Sequence, residues 1–158
     1  MASFKTNVMR ILEREKINFM AQEYEHNDGA IDGISVAKKM GQPPEQVFKT
    51  LVTRGAGRDY FVFVIPVEKE LDLKAAAKAV GEKSVEMIKV ADINKVTGYV
   101  RGGCSPIGMK KSFVTVFDDS CLALPAIIVS AGKIGYQIRL APTDLIRLAE
   151  GKTAPITF

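Results

Sequence analysis

Six consecutive residues, Tyr60-Phe-Val-Phe-Val-Ile65, are aromatic or β-branched without a polar interruption. A strand of that composition shows no alternation of apolar and polar faces, so it has to be covered on both. The stretch before it, Val47-Phe-Lys-Thr-Leu-Val52, is strand-like in its second half, and Arg54-Gly-Ala-Gly-Arg-Asp59 between the two is turn-forming. These segments form a hairpin at the centre of the fold. The rest of the chain must supply two layers around it.

The candidates for those layers follow from periodicity and punctuation. Asn7 to Lys16 places Val8, Ile11 and Leu12 at helical spacing, Ile17 to Tyr24 reads as extended, and His26 to Gly33 is rich in turn formers. Ser35 can cap a short helix running to Met40, Gly41 stops it, and Pro43-Pro44 opens another helical turn. Asp72 caps an alanine-rich helix, Leu73 to Val80, ended by Gly81, and Ala91 to Val96 forms a short helix before Gly98. Phe113 to Phe117, Ala126 to Val129 and Tyr136 to Leu140 read as strands, and Pro142 to Ala149 as a closing helix. Strands and helices alternate irregularly, which indicates an α+β domain rather than a doubly wound parallel sheet.

At 158 residues, with 47% apolar and 25% charged side chains, the expectation is one globular domain over 1–158. No apolar run approaches the roughly 20 residues a membrane helix needs, and Met1 to Arg10 lacks the apolar core of a signal peptide, so a cytoplasmic protein is expected. Cys104 and Cys121 with the single His26 make no zinc-ligand pattern and are expected as reduced thiols. No GxGxxG or Walker sequence is present, and no cofactor is expected. A net charge of +4, from 22 basic and 18 acidic residues, suits a soluble protein tolerant of anionic partners and does not establish nucleic-acid binding. Lysine and arginine clusters at 38–39, 49, 54–58 and 110–111 could track a phosphate backbone if they share a face, or could be solvated surface.

The stretch Arg101-Gly-Gly-Cys-Ser-Pro-Ile-Gly108 cannot form an ordinary helix or strand. It reads either as a tight connection between strands or as a shaped loop whose amide groups converge on an oxygen or anion. No serine or cysteine can be assigned a histidine base, so a catalytic triad is not expected. Cys104 within the loop is read as a small packing residue, and Ser105 and Ser130 as hydrogen-bonding hydroxyls.

Six motifs occur together and in order: Tyr24-Glu-His, Val47-Phe-Lys-Thr-Leu51, Leu71-Asp-Leu-Lys74, Gly98-Tyr99, Gly102-Gly-Cys-Ser-Pro-Ile-Gly108 and Val129-Ser-Ala-Gly-Lys133. On these the chain resembles, over nearly its whole length, the YbaK family of trans-acting aminoacyl-tRNA deacylases. It is most similar to the branch acting on cysteinyl-tRNA(Pro), and is related to the editing domain of bacterial prolyl-tRNA synthetases. The resemblance implies a mixed, mainly antiparallel, barrel-like sheet with surrounding helices and a pocket for the 3′-terminal aminoacyl-adenosine.

Carried over residue by residue, the resemblance makes Lys49 the central functional lysine, followed by Thr50, and makes Tyr24 a pocket tyrosine. Gly102, Gly103, Ser105, Pro106 and Gly108 match the GGxSPxG loop, and Ser130 and Gly132 a second substrate-facing turn. Gln137 stands where the cysteinyl branch often has an aspartate, replacing a charged contact by a neutral one. Gly33-Ile34 stands where family members carry an aromatic residue, and the segment from Tyr24 to Gly41 is one residue shorter.

An aminoacyl ester breaks down through an oxyanion-bearing transition state that preorganised N–H donors stabilise, and the glycine loop could supply them. Lys49 reads as a substrate-orienting cation rather than a base, unless burial lowers its pKa. For the cysteinyl branch, the resemblance implies that the substrate's own thiol attacks its carbonyl, so the protein contributes geometry and charge. Alanyl- or seryl-tRNA as substrate, a noncatalytic module holding a tRNA acceptor end, and a thiol hydrolase using Cys104 are the alternatives. The implied partners are an aminoacyl-tRNA and, transiently, prolyl-tRNA synthetase, with neither DNA nor membrane.

Overall fold

The computed structural model describes residues 5–158; residues 1–4, where the segment read above for a signal peptide begins, lie outside the described residues. The strand Tyr60–Pro66 (here β3) pairs antiparallel with Phe48–Gly55 (β2), which makes the expected hairpin. It is the middle strand of a five-stranded sheet, and Val62, Phe63, Val64 and Ile65 are each fully buried. Val62 and Val64 face a core shared with Val8 and Leu12 of the helix Asn7–Arg14 (α1), whereas Phe63 and Ile65 pack with Ala76 and Ala77 of the helix Leu73–Val80 (α3). Burial on both faces is what the unbroken apolar run requires.

The outer strands of this sheet are Val85–Met87 (β4) beside β2, and Val114–Asp118 (β5) with Lys152–Ala154 (β8) on the other flank. Both β3–β5 and β5–β8 are parallel. A second sheet of three antiparallel strands holds Phe19–Glu23 (β1), Tyr136–Leu140 (β7) and Ile127–Ser130 (β6), with β7 in the middle. Four of the six strand pairings are antiparallel. The two sheets touch through the parallel bridge Val47–Ile128. The arrangement curls like a barrel without closing into one.

Helix ends follow local chemistry. Asp72 accepts from the N–H groups of Lys74 and Ala75, and Gly81 ends α3 in the left-handed region at φ +73°. The helix Val90–Thr97 (α4) ends the same way at Gly98, and Pro142–Leu148 (α5) begins with its proline. The helix Gly33–Lys39 (α2) differs from expectation: its cap is Asp32, whose carboxylate accepts from Ser35 N–H at 3.1 Å. Ser35 is thus the recipient of the cap, three residues inside. Strands β4 and β8 were not expected at all; at three residues each, they are too short to show a period.

Asp118 at the end of β5 anchors the chain's last turn. It is 4% exposed and accepts from Ile156 N–H and Thr157 Oγ1, both at 3.2 Å, and from Ser120. Asp118→Ala leaves the buried Ile156 N–H without an acceptor and is expected to cost about 3 kcal/mol. The expected readout is a lowered urea midpoint with faster amide exchange in residues 152–158.

Candidate substrate cavity

The ladder of β2 explains where the chain keeps a hollow. Bonds from Gly55 N–H to Asp59 O and from Val67 N–H to Val47 O, both 2.8 Å, set the alternation, so Lys49, Leu51 and Thr53 direct their main-chain groups toward β3. Phe48, Thr50 and Val52 therefore present theirs to the opposite edge. There Val52 O accepts from Ile88 N–H, but β4 pairs only with Thr53 to Gly55. Beside the unpaired part of that edge lies a cavity of about 590 Å³. It wraps the strand edge, which is why Lys49 and Thr50 both reach it although successive side chains point to opposite faces.

The other walls come from three places. The three-stranded sheet contributes Ser130, Tyr136 and Gln137, the glycine loop contributes Gly102 and Cys104, and the segment leading into α2 contributes Ile31 to Ile34. Tyr24, buried at the end of β1, closes one side. Lys39 holds the roof: its ammonium donates to Glu25 O at 2.6 Å, Ala30 O at 3.3 Å and Asp28 at 3.0 Å. That contact also holds the Asp28 carboxyl below its ordinary value, and Asp32 is lowered chiefly by its bonds to Ser35.

Of the residues singled out in the sequence, Tyr24, Lys49, Thr50, Gly102, Ser130 and Gln137 stand together on this cavity. Gly103, Ser105, Pro106, Gly108 and Gly132 do not. Gly103 packs on the main chain of Lys133 and Ile134, where a Cβ would come within 2.9 Å of Ile134 N, and its own N–H is bonded to Val100 O. Ser105 is fully buried and its hydroxyl faces Ile107 N–H at 3.4 Å. Pro106 and Gly108 border a second hollow of about 460 Å³.

Gly108 and Gly132 share one neighbour, Tyr99. A Cβ on Gly108 would lie 2.7 Å from the Tyr99 hydroxyl oxygen, and one on Gly132 would lie 3.1 Å from its ring. Both glycines have positive φ, +76° and +91°. The hydroxyl donates to Ile107 O at 2.6 Å, and burial pushes its pKa up to about 12. Tyr99 is thus the post on which the glycine loop and the Ser130 turn are hung. This gives physical content to the Gly98-Tyr99 motif.

The chemistry on the walls is uneven. Lys49 is half-buried, and desolvation lowers its pKa, an effect opposed by the charge of Glu70. Thr50 Oγ1 is buried with no partner among the described residues, an unsatisfied state that is uncommon in folded proteins. Ser130 Oγ accepts from Gly132 N–H at 3.2 Å. The Cys104 thiol is pushed up to about 12 by burial, only partly offset by its bond to Thr97. His26 packs against Gly135 and is not on the wall. The loop residues that border the cavity are Arg101, Gly102 and Cys104.

Sequence reasoning missed Ile31, Val67 and Tyr136 as wall residues, and reached Gly33 only as the place of a family aromatic residue and Arg101 only as the start of the glycine loop. Gly33 carried the only local signal, since a glycine opening a helix asks for a close neighbour: its Cβ would fall 2.2 Å from Val67. Among the described residues no group of three or more His, Cys, Asp or Glu side chains could hold a metal ion. None of the described helices is long and apolar enough to cross a membrane.

The sequence model of the aminoacyl-tRNA editing domain matches residues 32–148. EbsC of Enterococcus faecalis, provisionally named a Cys-tRNA(Pro)/Cys-tRNA(Cys) deacylase, is 47% identical over 153 residues, which cover 97% of this chain and 93% of that one. Two solved structures share the fold. The hypothetical protein APE2540 superposes with a TM-score of 0.88 at 18% identity, over 97% of this chain and 100% of its own. A protein described provisionally as a trans-editing enzyme for prolyl tRNA synthetase gives 0.82 at 21% identity, over 99% of both chains.

The clamp around Tyr99 is open to a direct check. Gly108→Ala is expected to cost about 2 kcal/mol through its positive φ and its overlap with the tyrosine hydroxyl. Tyr99→Phe removes the overlapping atom, so the double variant should be less destabilised than the sum of the two single changes in a urea-unfolding cycle.

Proposed function

Because this chain belongs to the aminoacyl-tRNA editing-domain family, we propose that it is a deacylase that removes cysteine from mischarged tRNA(Pro), and from tRNA(Cys), in trans. The reaction needs no nucleophile from the protein. The observation that carries this reading is the state of the cavity's thiol: Cys104 is held protonated by burial, and the sequence's single histidine lies elsewhere. A thiol of that kind does not attack an ester.

The substrate supplies the attacking group. Its cysteinyl sulfur adds to its own carbonyl carbon, the bond from that carbon to the tRNA 3′ oxygen breaks, and the thiol proton ends on the released 3′ hydroxyl. The products are tRNA and a cyclic thiolactone, which water then opens. Folding the cysteinyl side chain back on its carbonyl is a matter of placement, which the cavity walls provide. Lys49 orients the aminoacyl-adenosine through its charge, the Gly102 and Cys104 amides face the developing oxyanion, and Thr50 Oγ1 gains the partner it lacks. Tyr24, Ser130 and Gln137 complete the aminoacyl pocket, while Gly103, Ser105, Pro106, Gly108 and Gly132 shape the turns that present it.

Nothing in the cavity reads a tRNA body, so discrimination rests on the amino acid, and a transient complex with prolyl-tRNA synthetase would supply the choice of tRNA. Seryl- or alanyl-tRNA lacks the attacking sulfur and would need a bound water in the same place.

Cys104→Ala should keep most of the deacylation of Cys-tRNA(Pro), and a thiolactone should be trapped among the products. Lys49→Met should abolish turnover, and loss of less than tenfold would remove the lysine from the mechanism. The sign for stability runs the other way. A lowered lysine pKa means that the fold disfavours the charged form, a cost present at neutral pH and relieved as pH rises through the folded value toward 10.5. Lys49→Met should therefore unfold at the same or a higher temperature. In the wild type, kcat/KM should fall along an alkaline limb whose midpoint lies below that of an ordinary lysine.

A further inference from the structure

The three-stranded sheet carries a polar row across its middle. Gln22 on β1 lies opposite Gln137 on β7, and Gln137 lies opposite Ser130 on β6. Cross-strand partners leave the same face of a sheet. The neighbouring residues Ile138 and Val129 take the other face, into the main core. Ser130 and Gln137 reach the cavity and Gln22 does not.

Over this row sits Gln42, in the connection after α2, fixed by its own N–H to Ala37 O at 2.8 Å. Its Nε2 donates to Gln22 Oε1 at 3.0 Å and to Gln137 Oε1 at 2.5 Å. Both amide hydrogens are thereby used. The remaining atom, Gln42 Oε1, is buried without a partner among the described residues.

The two ends of an amide are told apart by their partners. Turned over, Gln42 would place its oxygen between the two neighbouring glutamines and leave both hydrogens of a buried nitrogen without acceptors. One orphaned carbonyl oxygen is the less costly of the two states. Gln137 is therefore held by its oxygen, and its amide nitrogen is the end left for the cavity. Gln137 is 3% exposed.

We infer that Gln42 is a positioning residue that sets the hydrogen-bond polarity of the cavity's sheet wall. Through Gln137, the wall donates to, and so selects, a small substrate side chain whose γ atom carries a lone pair. The inference rests on the cavity being the aminoacyl pocket proposed above. The substrate's α-ammonium, itself a donor, is turned from this wall toward the unpartnered Thr50 hydroxyl.

The test is binding of non-hydrolysable 3′-aminoacylamino-adenosines carrying seryl, cysteinyl or 2-aminobutyryl groups. Seryl and 2-aminobutyryl have nearly the same shape and differ in the lone pair at the γ atom. The wild type should bind the seryl and cysteinyl analogues about tenfold more tightly than the 2-aminobutyryl one, the worth of one good hydrogen bond. Gln42→Leu should lose that preference, with Gln42→Met as a second variant of the same kind. Gln42→Lys, which can only donate, should retain it, as should Gln22→Ala, which leaves the Gln42–Gln137 contact in place. A preference that survives in Gln42→Leu overturns the inference. So does a uniform weakening of all three analogues, which would mark Gln42 as structural only. If the wild type binds none of them, the proposed cavity falls first, and the two failures are distinguishable.

Discussion

The site depends on a strand that is paired along its whole length on one side and along only part of it on the other. β2 bonds to β3 from Phe48 to Arg54, but to β4 only at Thr53 to Gly55. A sheet edge inside a protein normally needs a cover for its main-chain groups. Here the second sheet approaches at a single bridge, Val47–Ile128, and then diverges. The gap between diverging sheets is the cavity, so Lys49 and Thr50 are functional positions because of where the pairing stops. Their side-chain chemistry is suited to the place, but the place is a property of topology.

The glycine loop has a divided job. Gly102 and Cys104 face the cavity, whereas Gly103, Ser105 and Gly108 are committed to packing, turn bonds and the approach to Tyr99. A seven-residue motif thus presents two residues to a ligand, and the rest make their placement rigid. The same tyrosine receives Gly132 from the Ser130 turn, which couples the two turns through one buried ring. A ring with a hydroxyl bonded to a main-chain carbonyl is a stiff joint, and stiffness is what orienting a small ester demands.

Much of this was legible in the sequence, for identifiable reasons. The apolar run at 60–65 declared a doubly covered strand, and Asp72 with Gly81 marked both ends of α3, because those signals are local. The cap of α2 is Asp32 and not Ser35, a difference the sequence cannot show because both are good capping residues and the choice depends on where the chain enters the helix. Three-residue strands β4 and β8 are made by their neighbours and carry no period of their own. In the site, motif residues could be named but not sorted: Gly102 and Gly103 look alike in sequence, yet one lines the cavity and the other lies under the Lys133 turn. Gln42 carries no signal in the sequence and Lys39 reads there only as part of a basic cluster, since a side chain that acts by holding another has no motif.

The contact between Gly33 and Val67 has a consequence for how such cavities diverge. The missing side chain of residue 33 and the methyls of residue 67 occupy one shared volume, since a Cβ on Gly33 would lie 2.2 Å from Val67. A side chain at residue 33 therefore requires a smaller one at 67 or a shift of one segment against the other. Among descendants of a common ancestor the two should vary as a couple, a bulky group at one site accompanied by a reduced one at the other. Aligned sequences would then record the shape of this part of the cavity wall as a covarying pair.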